Sequence, residues 1–151
     1  MLLLLFEIGN ERYALDANHI IEIVPLVKLK KIPGTPDYVA GLMNYRGKGT
    51  SVIDLNQRET SAPSEDAFST RIIMIKYPVN GKGSRPLALI ANNVTETVQT
   101  DLTTPPPAGV LMNKSLYTSK IIPETNGMIQ WFDIKKMLPE KELMFLFETE
   151  Q

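Results

Sequence analysis

The sequence contains no cysteine and a single histidine among its 151 residues. Without cysteine, disulfide bonds, thiolate metal ligands and cysteine nucleophiles are excluded. The lone His19 has no second histidine or cysteine with which to form a familiar metal site, and no serine nucleophile motif accompanies it. We therefore expect no catalytic residue, no metal site and no cofactor.

A charge excess of either sign is also missing. The chain carries 16 Lys and Arg against 17 Asp and Glu, which gives a formal net charge of −1 at pH 7. The two halves are similarly balanced, since residues 1–75 hold eight basic and nine acidic side chains and residues 76–151 hold eight of each. Nucleic acids and anionic membrane surfaces attract proteins that have a basic face. Neither is therefore an expected partner.

Long hydrophobic runs are the third absence. The apolar run at 2–6 is interrupted by Glu7, and no basic residue precedes it. A signal peptide has a longer apolar stretch with basic residues before it, and a helix that spans a bilayer needs about 20 apolar residues. We expect no direct insertion into a membrane. The lack of cysteine is compatible with a reducing cytoplasm.

Short β-strand patterns dominate what the sequence does contain. Residues 2–8 and 12–15 flank a glycine-containing turn and predict a hairpin. An irregular connection rich in Ser, Glu and Asp is expected over 56–69, and helices are expected mainly near the C-terminus. The other predicted strands are 20–24, 27–30, 71–76, 87–91 and 94–98.

A strand–turn–strand pattern occurs twice, over 39–55 and again over 116–134. In each copy an aspartate closes the second strand, and Asp54 and Asp133 are both suited to cap the turn or helix that follows. Short strands separated by turns are typical of small closed barrels, and two barrels without an ample core of their own would pack together. We predict an all-β single domain over 1–151, with two β-barrels that connect near 56–69 and a short C-terminal helix.

The order and spacing of these segments resemble the CheW-like adaptor family of bacterial chemosensory systems over nearly the whole chain. The most specific match is 41–47, Gly-Leu-Met-Asn-Tyr-Arg-Gly, which leads to Ile-Asp-Leu at 53–55. The resemblance implies that the barrels are intertwined, SH3-like and five-stranded. Further matches lie at 6–9, 13–16, 20–23, 87–98, 116–122 and 132–138.

The resemblance also implies a function, that of a non-enzymatic cytoplasmic adaptor recruited to membrane-associated receptor arrays through its partners. These partners would be the cytoplasmic tip of a chemoreceptor (a methyl-accepting chemotaxis protein) and the regulatory domain of a CheA-type histidine kinase. The family commonly has Leu and Pro where this chain has Tyr45 and Ser51. The departures leave open an adaptor of a non-flagellar pathway, such as a Wsp-like surface-sensing system, or a modulator that binds the kinase without receptors.

Arg46 and its neighbours are the leading candidates for receptor or kinase binding. Arg46 follows Asn44 at the mouth of a turn, where a guanidinium can fork onto a partner carboxylate or onto helix C-terminal carbonyls. An internal ion pair with Glu22, suggested by fold analogy, is a compatible alternative. Gly47 is expected to have a positive φ, and Gly41 to permit a close backbone approach. In the family, the position of Gly41 lies near the receptor-contact surface.

Ile20 and Glu22 complete the candidate set. Strict alternation along the strand 20–24 predicts that both point to one exposed face, while Ile21 and Ile23 point to the other. Ile20 is then either an apolar contact for a partner or a residue at the rim of the core.

A small ligand-binding barrel or enzyme is the rival class. It needs a nucleophile–base pair, a glycine-rich loop that cradles phosphate, or metal-ligand spacing, and the sequence contains none of these. The Gly-Lys-Gly segment at 81–83 is interpreted as a hairpin turn only.

Overall fold

A computed structural model describes residues 1–81, 83–100, 103, 110–112 and 128–149. These residues are mostly β-strand, in agreement with the sequence prediction. The strands are β1 (Leu2–Ile8), β2 (Glu11–Asp16), β3 (Ile20–Pro25), β4 (Val39–Tyr45), β5 (Lys48–Asp54), β6 (Arg71–Pro78), β7 (Ser84–Gln99), β8 (Val110–Met112) and β9 (Met128–Trp131). The helices are α1 (Leu55–Thr60), α2 (Ile134–Met137) and α3 (Glu140–Thr149).

The first copy of the repeated strand–turn–strand pattern is confirmed as β4 and β5. Of the second copy, the final strand is present as β9. The predicted strand at 116–122 and the turn at 123–127 lie outside the described residues.

The predicted N-terminal hairpin is formed by β1 and β2. The two strands pair antiparallel from Leu3 opposite Asp16 to Ile8 opposite Glu11. Gly9 in the intervening turn has a φ of 61°, which glycine adopts without steric cost. The turn chemistry therefore predicted the hairpin correctly.

Both faces of β1 are buried, which explains its uninterrupted apolar sequence. Leu3 and Leu5 belong to one apolar cluster, whereas Leu4 and Phe6 point the other way into a second cluster. A strand that is covered on both sides needs apolar residues at every position rather than at alternate ones.

Strand β7 is continuous, although the sequence predicted two strands at 87–91 and 94–98. Its first part pairs with β6 and its second part pairs with β1. Between these parts Asn93 has a φ of 48°, next to a register shift in the pairing with β1. A residue in the left-handed region allows the strand to bend without ending. The polar pair Asn92-Asn93 therefore marks a bend rather than a break.

Because of this bend, β7 belongs to two groups of five strands. The first group contains β3, β4, β5 and β6 with the first part of β7, and the second contains β1, β2, β8 and β9 with its remainder. Most pairs are antiparallel, but β5 and β7 run parallel, as do β2 and β9.

A core shared by both strand groups holds the molecule together. Its largest cluster draws on both groups and on all three helices. Within it the rings of Phe6, Tyr13 and Phe132 contact one another, with centroids 5.6 to 6.1 Å apart. A smaller cluster lies inside each group. Packing the groups against each other supplies the core that neither could build alone.

The two repeat aspartates cap helices, as predicted. Oδ1 of Asp54 accepts hydrogen bonds from the backbone N–H groups of Asn56 and Gln57 at the start of α1, at 3.0 and 3.2 Å. Asp133 likewise accepts from Lys135 and Lys136 at the start of α2, at 3.1 and 3.2 Å.

The expectation of irregular structure throughout 56–69 is wrong in its first part, which is helix α1. A helix of six residues is too short to be stable on its own, so its stability comes from the Asp54 cap and from the burial of Leu55 and Asn56.

The expected strand at 27–30 is also wrong. Only Lys30 pairs, through backbone hydrogen bonds of 2.9 and 2.8 Å with Leu42 of β4. Pro25 is the last residue of β3, and a proline lacks the N–H that would continue the ladder.

Candidate binding site at the β4–β5 hairpin

The tip of the β4–β5 hairpin is a two-residue turn made by Arg46 and Gly47. It joins the paired residues Tyr45 and Lys48. Both turn residues have positive φ, 52° and 83°, which are the signs of a type I′ turn, the type whose twist matches a hairpin. Oδ1 of Asn44 accepts a hydrogen bond of 2.9 Å from the N–H of Gly47. The positive φ predicted for Gly47 is confirmed.

Arg46 occupies a backbone conformation that is uncommon for a residue with a Cβ. The left-handed region costs such a residue about 1 kcal/mol, and here the closed turn imposes it. The side chain is 69% exposed. The hairpin therefore presents a mostly exposed guanidinium from a well-defined turn.

Glu22 on β3 lies beside this guanidinium. Its Oε1 is 3.7 Å from Nη2 of Arg46, and the Glu22 side chain is 39% exposed. The distance is that of an ion pair without a good hydrogen bond. Such an exposed pair stabilises a fold by only about 0–1 kcal/mol, so both side chains keep most of their capacity to bind a partner.

Tyr45 stacks with Arg46 and lies near Glu22. The Cζ atom of Arg46 lies 5.1 Å from the centroid of the Tyr45 ring, in a cation–π arrangement. The Tyr45 hydroxyl is buried beside the Glu22 carboxylate, short of a well-formed hydrogen bond. Burial and the nearby Glu22 raise the pKa of Tyr45, and the positive charge of Arg46 opposes this rise.

Gly41 is required by a close backbone contact. It has a φ of 142°, and a Cβ at this position would lie 2.5 Å from the carbonyl oxygen of Lys30. The chain at Lys30 is held there by its two backbone hydrogen bonds to Leu42. The close approach predicted for Gly41 is confirmed.

The prediction that Ile20 and Glu22 share one exposed face is wrong. The pairing of β3 with β6 shifts in register between these two residues, which breaks the strict alternation. Ile20 therefore packs against the large shared core cluster, as Ile23 does, while Ile21 packs against the smaller cluster inside the first strand group. The position favours the alternative in which Ile20 is a half-buried rim residue of the core.

One exposed apolar patch was not anticipated from the sequence. Phe68 is 92% exposed, and the guanidinium carbon of Arg71 lies 5.7 Å from its ring centroid. Both residues border an open groove together with 23–26 of β3 and the following loop. Phe68 stands in a polar connecting stretch, where no periodic pattern signals exposure or burial.

The carboxylates and the histidine of the described residues do not form a metal site. Among these residues no group of three or more His, Asp or Glu could hold a metal ion. His19 ends a short 3-10 turn and is exposed. Asp54 and Asp133 are engaged as helix caps on different elements. The site offers recognition groups rather than a nucleophile and its base.

No helix in the described part of the chain is both long enough and apolar enough to cross a membrane.

A mostly β frame that presents an arginine on a tight hairpin, with its aspartates engaged as caps, is a binding scaffold. The comparison with known proteins identifies its family. The model of the CheW-like domain family matches residues 2–142, and the chain belongs to this family.

Individual relatives agree with the family match. The chemotaxis protein CheW of Bacillus subtilis is 26% identical over 139 residues, which cover 92% of this chain and 87% of that protein. The chemotaxis protein CheW of Treponema pallidum is 26% identical over 151 residues, or 95% of this chain and 85% of that protein.

A solved structure supports the same assignment. The crystal structure of the scaffolding protein TtCheW from Thermoanaerobacter tengcongensis superposes with a TM-score of 0.66 at 28% identity, over 90% of this chain and 86% of that one. The chain therefore has a CheW-like fold. It is a scaffolding protein of chemotaxis-type signal transduction and not an enzyme.

Proposed function

We propose that this chain is a cytoplasmic adaptor that couples the cytoplasmic tip of a chemoreceptor to the regulatory domain of a CheA-type histidine kinase. It is recruited to receptor arrays by these partners, and no helix among the residues that the structure describes could span a membrane. Family membership over residues 2–142 supports the adaptor role.

The exposed Arg46 beside Glu22 is the observation that locates the proposed binding site on the molecule. A guanidinium that is 69% exposed has donors available for a carboxylate or for the C-terminal carbonyls of a helix. The neighbouring Glu22 adds an acceptor, so the two residues together recognise a partner that carries an acceptor next to a donor.

The other candidate residues shape this site. Asn44 and Gly47 close the turn that contains Arg46. Gly41, which lacks a Cβ, allows β4 to approach the backbone of Lys30 closely. Ile20 contributes apolar surface at the rim of the core. A contact of this kind combines an apolar anchor with a polar surround.

Each group of five strands is proposed to curl into an SH3-like barrel, and the whole of 1–151 to form one domain. The bridge between Lys30 and Leu42 brings the chain after β3 to β4, as closure of the first barrel requires. The shared strand β7 intertwines the two groups.

The test is calorimetric titration of the purified chain with a receptor tip and with a kinase regulatory domain, in separate experiments. Arg46→Ala is expected to weaken receptor binding about tenfold or more, the effect of losing a charge-assisted contact, with an unchanged midpoint of thermal unfolding. Lys141→Ala removes an exposed cation from α3 and is the matched control, expected to bind like the wild type.

The two titrations also separate the alternatives. Binding to neither partner overturns the adaptor proposal. Binding to the kinase domain alone identifies a kinase-binding modulator instead. Normal binding by Arg46→Ala together with a large loss of thermal stability means that Arg46 serves the fold and not the partner.

A further inference from the structure

We propose that Tyr45 is a specificity-determining residue of this adaptor, because it sets the position of the Arg46 guanidinium and so selects the partner. The inference rests on the proposed function, and it assigns to Tyr45 a positioning role rather than a direct contact.

The ring of Tyr45 provides a surface for the guanidinium. Tyr45 is half-buried and packs against the apolar cluster of the first strand group, which includes Met43 of the same strand and Val52 of β5. Its ring is therefore held in place from one side by the core. Arg46 also lies over the ring, at 5.1 Å from Cζ to the ring centroid. A cation over an aromatic face is attracted by the ring quadrupole while the N–H groups at its edge stay available.

The hydroxyl of Tyr45 lies near Glu22, the second member of the pair. It is buried near the Glu22 carboxylate but forms no hydrogen bond with it, so it is a polar neighbour of Glu22 rather than its donor. Glu22 and Arg46 are 3.7 Å apart, which is too long for a short charge-assisted hydrogen bond. The guanidinium is thus held open, with donors available to an incoming acceptor.

A leucine at this position could not hold the guanidinium in this way. It has no aromatic face over which a cation can lie. A leucine leaves Arg46 and Glu22 free to close on each other, so that a partner must first separate them. A tyrosine therefore favours partners that offer a carboxylate to an arginine already turned outward.

Nuclear magnetic resonance of the free protein tests the contact without any partner. The Nε–Hε signal of Arg46 is expected to be displaced by the ring current of Tyr45 in the wild type and in Tyr45→Phe. The displacement is expected to disappear in Tyr45→Leu. Equal Arg46 signals in the wild type and in Tyr45→Leu overturn the proposal. Tyr45→Met replaces the leucine variant if the latter does not fold.

A double-mutant cycle with the receptor tip tests the consequence. Tyr45→Leu is expected to weaken binding about threefold to fivefold, the effect of one exposed cation–π contact. In the Arg46→Ala background the same substitution is expected to have no further effect, because the positioned group is gone. A purely structural role of Tyr45 predicts equal losses in both backgrounds.

The binding results distinguish a failure of the proposed Arg46 site from a failure of the inference about Tyr45. If Arg46→Ala binds the receptor tip normally, the proposed site fails whatever Tyr45 does. If Arg46→Ala weakens binding but Tyr45→Leu has no effect, or an equal effect in both backgrounds, only the inference about Tyr45 is overturned.

Discussion

Arg58 on α1 and Glu142 on α3 join the two halves of the chain. Nη2 of Arg58 donates to both carboxylate oxygens of Glu142, at 2.9 and 3.1 Å, and Nη1 lies 2.6 Å from Glu59. The ring of Tyr38 lies against the same guanidinium, 5.8 Å from ring centroid to Cζ. Because Arg58 is only 17% exposed, the pair ties the C-terminal helix to the helix that follows β5.

Glu142→Gln is expected to lower the free energy of unfolding by about 1–2 kcal/mol, since a hydrogen bond to a charged group in a partly buried site is lost. Urea unfolding measures this. Glu148→Gln on the exposed side of the same helix is the matched control and is expected to leave stability unchanged. Equal midpoints for the two variants would mean that the pair does not stabilise the fold.

Gly41→Ala is expected to destabilise the fold by about 2–4 kcal/mol, because overpacking adds to a backbone conformation that disfavours a side chain. The new Cβ would meet the Lys30 carbonyl oxygen at 2.5 Å. Gly49→Ala is the control, since its Cβ would meet only Leu42 Cδ2 at 3.9 Å. Thermal unfolding compares the two, and similar midpoints would contradict the close contact.

Asp54→Ala is expected to cost more stability than Asp133→Ala, although both residues cap a helix. Oδ2 of Asp54 also accepts from the Ser64 backbone N–H at 2.9 Å, and its Oδ1 accepts from the Ser64 hydroxyl at 2.6 Å. Asp54 is only 8% exposed. We expect losses of about 3 kcal/mol for Asp54→Ala and about 1 kcal/mol for Asp133→Ala, measured by urea unfolding.

Asparagine caps a helix as well as aspartate does, so the two Asp→Asn variants provide a second test of the difference between Asp54 and Asp133. Asp133→Asn is expected to behave like the wild type. Asp54→Asn is expected to remain destabilised, because one of its acceptor oxygens becomes an NH₂ group. The prediction fails if the two asparagine variants are equally stable.

The protein is expected to lose stability at alkaline pH because of Tyr77. Its side chain is buried and its hydroxyl donates to the carbonyl oxygen of Leu138. Burial, together with the charges of Glu140 and Glu142, raises the pKa of Tyr77 to about 12. An unfolded tyrosine ionises at about pH 10, so above this pH the unfolded chain loses a proton that the folded chain keeps. Stability therefore falls as the pH rises from about 10 toward 12, by at most about 1.4 kcal/mol per unit.

Tyr77→Phe isolates this effect from the lysines that titrate in the same range. The variant is expected to be less stable at neutral pH by about 1–3 kcal/mol, because the Leu138 carbonyl loses its donor. The difference in unfolding free energy between wild type and variant is expected to be constant below about pH 9 and to shrink above about pH 10. A constant difference up to pH 11, measured by urea unfolding, would rule out the raised pKa.

Features built from neighbouring residues were predictable from the sequence. The β1–β2 hairpin, the positive φ of Gly47 and the caps at Asp54 and Asp133 each depend on a few consecutive residues whose turn or capping chemistry is well defined. The order of these segments also identified the family. The close approach at Gly41 was predicted as a geometric need, although its partner at Lys30 was not.

Predictions failed where a distant strand decides the local conformation. The bend at Asn93 depends on β6 and β1 pairing with successive parts of one strand. Alternation broke between Ile20 and Glu22 because β6 imposes a shifted register. Helix α1 gains its stability from tertiary burial that its polar sequence does not reveal.

The sequence by itself determined what this protein cannot be and how its turns and caps form, because these depend on residue types and on contacts between close neighbours. It excluded cysteine chemistry, a basic surface and a long apolar span, and it carried the family's motif. Only the tertiary structure decided how Arg46 is presented. Glu22 reaches Arg46 from another strand, and Tyr45 is held beneath it by the core, so the geometry of the site exists only once the strands have packed.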